Sequence, residues 1–156
     1  MKLSIVSGGF DPVHVGHLEL FERAKSIADK LFVIVNHDKF LINKKGKPFM
    51  SLKERMTMVQ ALKPVNLVIK SIDEDQTVCA TLKFVHEMYK NKFDEIMFCN
   101  GGDRVEGGHT PEHDLCLELG VNPVYGLGDK IQSSSWLLKP DYTYESVYKE
   151  DETIRK

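Results

Sequence analysis

The chain has 156 residues, 42% of them hydrophobic and 28% charged, with a formal net charge of −2. That length suits one domain able to bury a single sizeable core, and the near-neutral balance gives no field for holding a nucleic acid or an anionic membrane. No apolar run is long enough to span a bilayer, and Met1-Lys2-Leu3 leads into a strand pattern rather than a signal peptide, so the expected location is the cytoplasm.

Leu3-Ser4-Ile5-Val6 is an apolar run too short for a helix and is expected as a buried strand. It runs into Gly8-Gly9-Phe10-Asp11-Pro12-Val13-His14-Val15-Gly16-His17, after which Leu18, Phe21, Ala24 and Ile27 recur at helical spacing. A glycine-rich turn therefore joins the first strand to the first helix, with His14 and His17 three apart at the helix start. There an α/β sheet presents backbone N–H groups and a positive dipole end to an anion. Gly8, Gly9 and Gly16 let a phosphate approach the main chain, with Phe10 and Asp11 in the same turn. Two imidazoles one turn apart face the same way and can both donate to phosphate oxygens. Neither GxxxxGK[ST] nor GxGxxG occurs.

Gly9 to His17 resembles the HxGH signature of the nucleotidyltransferase superfamily, and the resemblance runs from about Leu3 to Leu138. It implies transfer of CMP or AMP from CTP or ATP to a small phosphorylated substrate. It further implies Mg2+ as cofactor, His14 and His17 donating to the phosphates, and a homodimer.

Lys30-Leu31-Phe32-Val33-Ile34-Val35 reads as a strand apolar on both faces, as in a covered parallel sheet. Asn36-His37-Asp38 closes it at the carboxyl end, where such sheets carry their ligands. Phe40 to Phe49 reads as a basic loop holding Lys44, Lys45 and Lys47. A lysine cluster is ordinarily solvated surface, but this one lies one crossover from the phosphate turn. In the resembling enzymes a lysine of this loop closes over the triphosphate, which falls here on Lys44 or Lys45.

Ser51-Leu52-Lys53-Glu54 is a capping box opening a helix over 52–62. Arg55 lies in its first turn, against the helix dipole. A bound phosphate would account for it, a contact the resemblance also implies; the alternative is an exposed arginine paired with Glu54. Asn66 to Ile69 reads as the third strand. Asp73-Glu74-Asp75 reads as the solvated start of a helix over about 77–89, since three adjacent carboxylates do not converge on one ion. No metal-ligand set is expected in the chain.

Glu95 to Cys99 reads as the fourth strand, running into Asn100-Gly101-Gly102-Asp103-Arg104. That turn resembles the family's Gly-Asp motif, which puts Gly102 and Asp103 beside the nucleotide's ribose or base and Arg104 near the acceptor's phosphate. His109-Thr110-Pro111-Glu112-His113 matches the HxxEH pattern of inverted zincins. Thr110-Pro111, however, reads as cap and first helical residue, leaving His109 outside the helix; both histidines suit an acceptor pocket. Gly120 ends that helix, and Val121 to Tyr125 is a last strand whose Pro123 suggests a sheet edge.

Ser133, Ser134 and Ser135 supply hydroxyls and N–H groups to one anion at a helix start. They resemble the family's second signature, Ile-Ser-Ser-Thr-x-Ile-Arg, with departures at Gln132 and at Leu138, where a basic residue is expected. Either Lys130 or Lys139 would supply that charge, or the triphosphate is held differently. Cys79, Cys99 and Cys116 are odd in number, far apart and in apolar settings, as free thiols of a reducing compartment.

Strands alternating with helices give a single-domain, doubly wound parallel α/β sheet over 1–139, followed by a polar tail over 140–156. The four polar turns surround one crevice at its switch point. The acceptor suggested is a polyol or sugar phosphate, through likeness to glycerol-3-phosphate cytidylyltransferase and heptose-phosphate adenylyltransferase. Two rivals stand beside it: a non-catalytic nucleotide-binding module, favoured by Leu138, and a zinc hydrolase through HxxEH.

Overall fold

The computed structural model describes residues 1–101 and 110–127; the side chains of residues 40 and 43–45 lie outside that description. In chain order the described elements are β1 (Lys2–Gly8), α1 (Val15–Ser26), β2 (Lys30–Val35), α2 (Asp38–Lys45) and α3 (Leu52–Gln60), then β3 (Leu67–Lys70), α4 (Cys79–Tyr89), β4 (Glu95–Cys99), α5 (Pro111–Leu119) and β5 (Asn122–Val124). The strands form one five-stranded sheet in the order β3-β2-β1-β4-β5. Every pairing is parallel, with Ile5 opposite both Phe32 and Phe98. The chain winds from β1 out to β3, then returns to the other side of β1 for β4 and β5. The switch point, where an open sheet parts its loops into a crevice, lies between β1 and β4.

Alternation along the strands sorts the core into two layers. Val6, Leu31, Val33, Val35, Met97 and Cys99 face Phe21 and Ala24 of α1 and Val59 of α3. Leu3, Ile5, Phe32, Ile34, Ile96 and Phe98 face Leu82 and Val85 of α4 and Cys116 of α5. Strands covered on both faces need apolar residues at every buried position, which β2 supplies from Leu31 to Val35.

The helix signals act as expected at three ends. Ser51 accepts from the Glu54 N–H, Thr110 accepts from the His113 N–H with Pro111 following, and Gly120 takes the left-handed conformation with φ +80°. Val124 and Pro123 lie on the edge strand, as proline requires. Cys99 and Cys116 are buried free thiols and Cys79 is half-buried.

Two expectations are corrected. The segment read as a basic loop is mostly helix, since α2 runs from Asp38 to Lys45. The acidic trio is not simply solvated. Asp73 is buried and accepts from the N–H groups of Ala80 (2.7 Å) and Thr81 (3.0 Å) and from the Thr81 hydroxyl (2.5 Å). It serves as the remote cap of α4, whose own N-cap residue, Val78, has no side chain able to do so.

Candidate active site

The crevice begins with the turn after β1. Phe10 holds a left-handed backbone, φ +51°, which folds its ring back into the core at 4% exposure. That ring meets Phe21 edge-on at 5.3 Å and His17 edge-on at 4.9 Å, so Phe10 supports an imidazole from beneath. A Cβ on Gly8 would lie 2.9 Å from this ring, and one on Gly9 would lie 2.9 Å from Leu41 of α2. Both glycines are demanded by the close packing of the turn.

His14 is the N-cap of α1, an unusual residue for that position. Its Nδ1 accepts from the Gly16 N–H at 3.1 Å, and the His17 Nδ1 accepts from the His14 N–H at 3.1 Å. The rings stack at 3.7 Å with 24° between planes. These bonds decide the tautomer: with each Nδ1 lone pair engaged, a neutral ring carries its proton on Nε2. Each Nε2 lies on the ring edge away from its cap bond. A stacked pair of rings, each with an Nε2–H donor, thus stands at the positive end of the helix dipole. The sequence reading expected the N–H groups of the helix start to face an anion; the structure commits that of Gly16 to His14.

Both rings are held below the ordinary histidine range. Burial is the cause for His14; for His17, pushed down to about 3, burial leads and the neighbouring His14 adds to it. A folded-state value below the unfolded one, about 6.5, means the unfolded chain binds the proton more readily. The stability contributed by neutral His17 is therefore full above about pH 6.5 and is lost as pH falls toward 3. In His17→Asn an amide oxygen can still accept the His14 N–H but does not titrate. Its melting temperature is expected to fall less steeply than the wild-type's on acidification from pH 7 to 4. Parallel slopes would show that His17 is not held neutral.

The remaining predicted site residues are placed as follows. Asp11 is 2% exposed, and its carboxylate accepts from the N–H groups of Phe49 and Met50, both at 2.6 Å. These bonds tie the turn to the segment before α3. Arg55 is corrected on both of its readings. It is 0% exposed, neither on the surface beside Glu54 nor open to a phosphate. Its guanidinium donates to Met50 O (3.1 Å), Gly9 O (2.8 Å), Asn36 O (2.6 Å) and Asp38 Oδ1 (2.8 Å). It joins the β1 turn, the end of β2, the start of α2 and the approach to α3.

The lysine segment is consequently held at both ends, by Arg55 at Asp38 and by Asp11 at Phe49 and Met50. Lys44 and Lys45 stand at the end of α2. Gly102, Asp103, Arg104, Lys130, Ser133, Ser134, Ser135, Leu138, Lys139 and His109 lie outside the described residues, as do the boundary at 139 and the tail. The turn leading toward Gly102 is fixed up to Asn100, whose N–H donates to Val124 O and whose carbonyl accepts from the Leu127 N–H.

At the foot of α5, the His113 Nδ1 bonds the Tyr125 hydroxyl at 2.5 Å, and Glu112 accepts from the Val78 N–H. Among the described residues no group of three or more His, Cys, Asp or Glu could hold a metal, and no helix is long and apolar enough to cross a membrane. Sequence reasoning missed the links to Asn36 and Asp38, which rest on contacts far apart in the chain.

A family model described as cytidylyltransferase-like matches residues 5–147. The chain belongs to the cytidylyltransferase-like family. FAD synthase of Thermococcus sibiricus is 44% identical over 70 residues, 44% of this chain and 47% of that protein. Glycerol-3-phosphate cytidylyltransferase of Bacillus subtilis is 36% identical over 76 residues, 49% of this chain and 59% of that protein. The match spans about half the length of such relatives. A lipopolysaccharide core biosynthesis protein from Thermoplasma volcanium shares the fold at TM-score 0.63 and 24% identity, covering 83% of this chain and 98% of that one. The doubly wound sheet and the HxGH turn of this cytidylyltransferase-like chain thus have their counterpart in a known family.

Proposed function

We propose that the chain is a nucleotidyltransferase that moves CMP or AMP from CTP or ATP to the phosphate of a small polyol or sugar phosphate. The observation that carries this reading is the stacked His14–His17 pair, with its two Nε2–H donors at the N-terminus of α1 beside the switch point. An oxygen of the acceptor phosphate attacks the α-phosphorus, the bond to the β-phosphate oxygen breaks, and pyrophosphate leaves. A phosphate monoester, with a second pKa near 6, is mostly dianionic at pH 7, so no general base is needed. Catalysis is then positioning and the stabilisation of charge on the phosphate oxygens.

His14 and His17 donate to those oxygens, and Lys44 or Lys45 is assigned to the departing pyrophosphate. Gly102, Asp103, Ser133, Ser134 and Ser135 are assigned to the nucleotide, and Arg104 to the acceptor's phosphate. Mg2+ would enter with the nucleotide and offset its phosphate charge. A homodimer in the cytoplasm completes the proposal.

The test is pyrophosphate release with magnesium, crossing CTP, ATP, GTP and UTP with glycerol 3-phosphate, ribitol 5-phosphate, heptose phosphates and FMN. FMN belongs in the panel because of the FAD synthase likeness, and its phosphate also ends a polyol chain. Release with one pair fixes base and acceptor together. Silence in every pair, with CTP or ATP still raising the melting temperature, would leave a binding module without the chemistry.

A further inference from the structure

The α4/α5 face of the sheet ends in polar residues at its carboxyl edge. On that face Leu3 and Ile5 of β1, Phe32 and Ile34 of β2, Leu67 and Ile69 of β3, and Ile96 and Phe98 of β4 point into the core. By alternation the next positions on the same side are Ser7, Asn36, Ser71 and Asn100. Ser71 is engaged, donating to Asp73 and accepting from the Asp73 N–H, and the Asn100 amide donates to Val124 O.

Asn36 differs. It is 5% exposed, yet its side-chain Oδ1 is buried with no hydrogen-bond partner among the described residues. Its backbone is fixed on both sides, the N–H donating to Gly8 O at 2.9 Å and the carbonyl accepting from Arg55 at 2.6 Å. The backbone at Asn36 is therefore held in place, and its side chain carries an unused acceptor. A buried carbonyl oxygen left without a donor opposes folding, and ligand groups are one means of satisfying it.

We infer that Asn36 reads the acceptor substrate, its Oδ1 taking a hydrogen bond from a hydroxyl on the polyol chain that carries the attacking phosphate. This rests on the nucleotidyl-transfer reading. The oxygen requires a donor, which an ionised phosphate is not and a polyol hydroxyl is. Asn36 lies on the β2–β3 side of β1, away from the turn after β4 to which the nucleotide is assigned. It ends the strand beside that of the HxGH turn, its N–H bonded to Gly8 O where that turn begins.

Asn36→Leu removes the oxygen while keeping the branching at Cγ, and Asn36→Asp retains it. The ratio of kcat/KM for glycerol 3-phosphate or ribitol 5-phosphate to that for its deoxygenated analogue cancels any general damage. The wild type is expected to prefer the hydroxylated acceptor by about 10²-fold or more, Asn36→Asp to keep that preference, and Asn36→Leu to lose most of it. An unchanged ratio in Asn36→Leu, or a loss confined to the KM for CTP or ATP, overturns the inference while leaving nucleotidyl transfer intact.

A wild type silent with every pair overturns nucleotidyl transfer itself. The side-chain amide resonances of Asn36, assigned by their absence from Asn36→Leu, then decide about the residue. Their movement on adding glycerol 3-phosphate or ribitol 5-phosphate, and not inorganic phosphate, supports a polyol-reading Asn36, and stationary resonances overturn it.

Discussion

His17→Ala is expected to lower kcat by about 10²–10³ while leaving a folded protein, because it deletes one of two preorganised donors to the reacting phosphates. The substitution also removes the ring that accepts the His14 N–H and stacks on His14 at 3.7 Å. Losing such a cap bond costs about 1 kcal/mol, or roughly 2–4 °C of melting temperature in a domain of this size. His17→Asn separates the two effects, since its oxygen can keep the cap while the Nε2–H is gone. Both variants should lose kcat alike, and only alanine should lose the cap. The loss should fall on kcat more than on KM, since the phosphate charge to be stabilised grows toward the transition state. Equal kcat in wild type and both variants, measured by pyrophosphate release with the active nucleotide–acceptor pair, would remove His17 from the chemistry.

What the sequence made legible is what local spacing determines. The β2 strand over 30–35, the Ser51 cap, and the Thr110, Pro111 and Gly120 signals of α5 all depend on neighbours within a few residues. The HxGH turn was legible for the same reason, since strand, glycines and histidines follow one another directly. Its internal wiring was not, because histidine is outside the usual capping set and its rings take the N–H groups that a phosphate would otherwise meet.

Charged residues were misjudged where their partners are distant in sequence. Asp11 is satisfied by N–H groups 38 and 39 residues on, and Arg55 reaches back 46 residues to Gly9. The start of α2 is tied to α3 through Asp38 and Arg55 rather than by a recognisable cap, and its lysine-rich composition hides the helix. Each of these residues reads as surface or ligand-binding until the fold brings its acceptors or donors to it.

Arg55→Met is expected to destabilise the protein by about 3–5 kcal/mol, read as a fall in the urea midpoint. Methionine fills the volume of the arginine stem but donates nothing. The carbonyls of Gly9 and Asn36 would then lose donors at 2.8 and 2.6 Å, and a buried acceptor left unsatisfied costs about 1–3 kcal/mol. The ion pair is the lesser part of this sum. Asp38 is 44% exposed and can be rehydrated once its partner is gone, so Asp38→Asn should cost about 1 kcal/mol or less.

The comparison of the two variants is the test. If Asp38→Asn costs as much as Arg55→Met, the charge pair holds the segment and the carbonyl contacts are incidental. If Arg55→Met is far more damaging, the guanidinium acts as a strut between strands. Arg55→Lys supports the strut only if it recovers little, because one ammonium cannot span acceptors on the β1 turn, the end of β2 and the start of α2. On that outcome Arg55 is a positioning residue. It aligns the HxGH turn with the lysine-bearing helix, and its loss should raise the KM for the nucleotide even at temperatures where the variant remains folded.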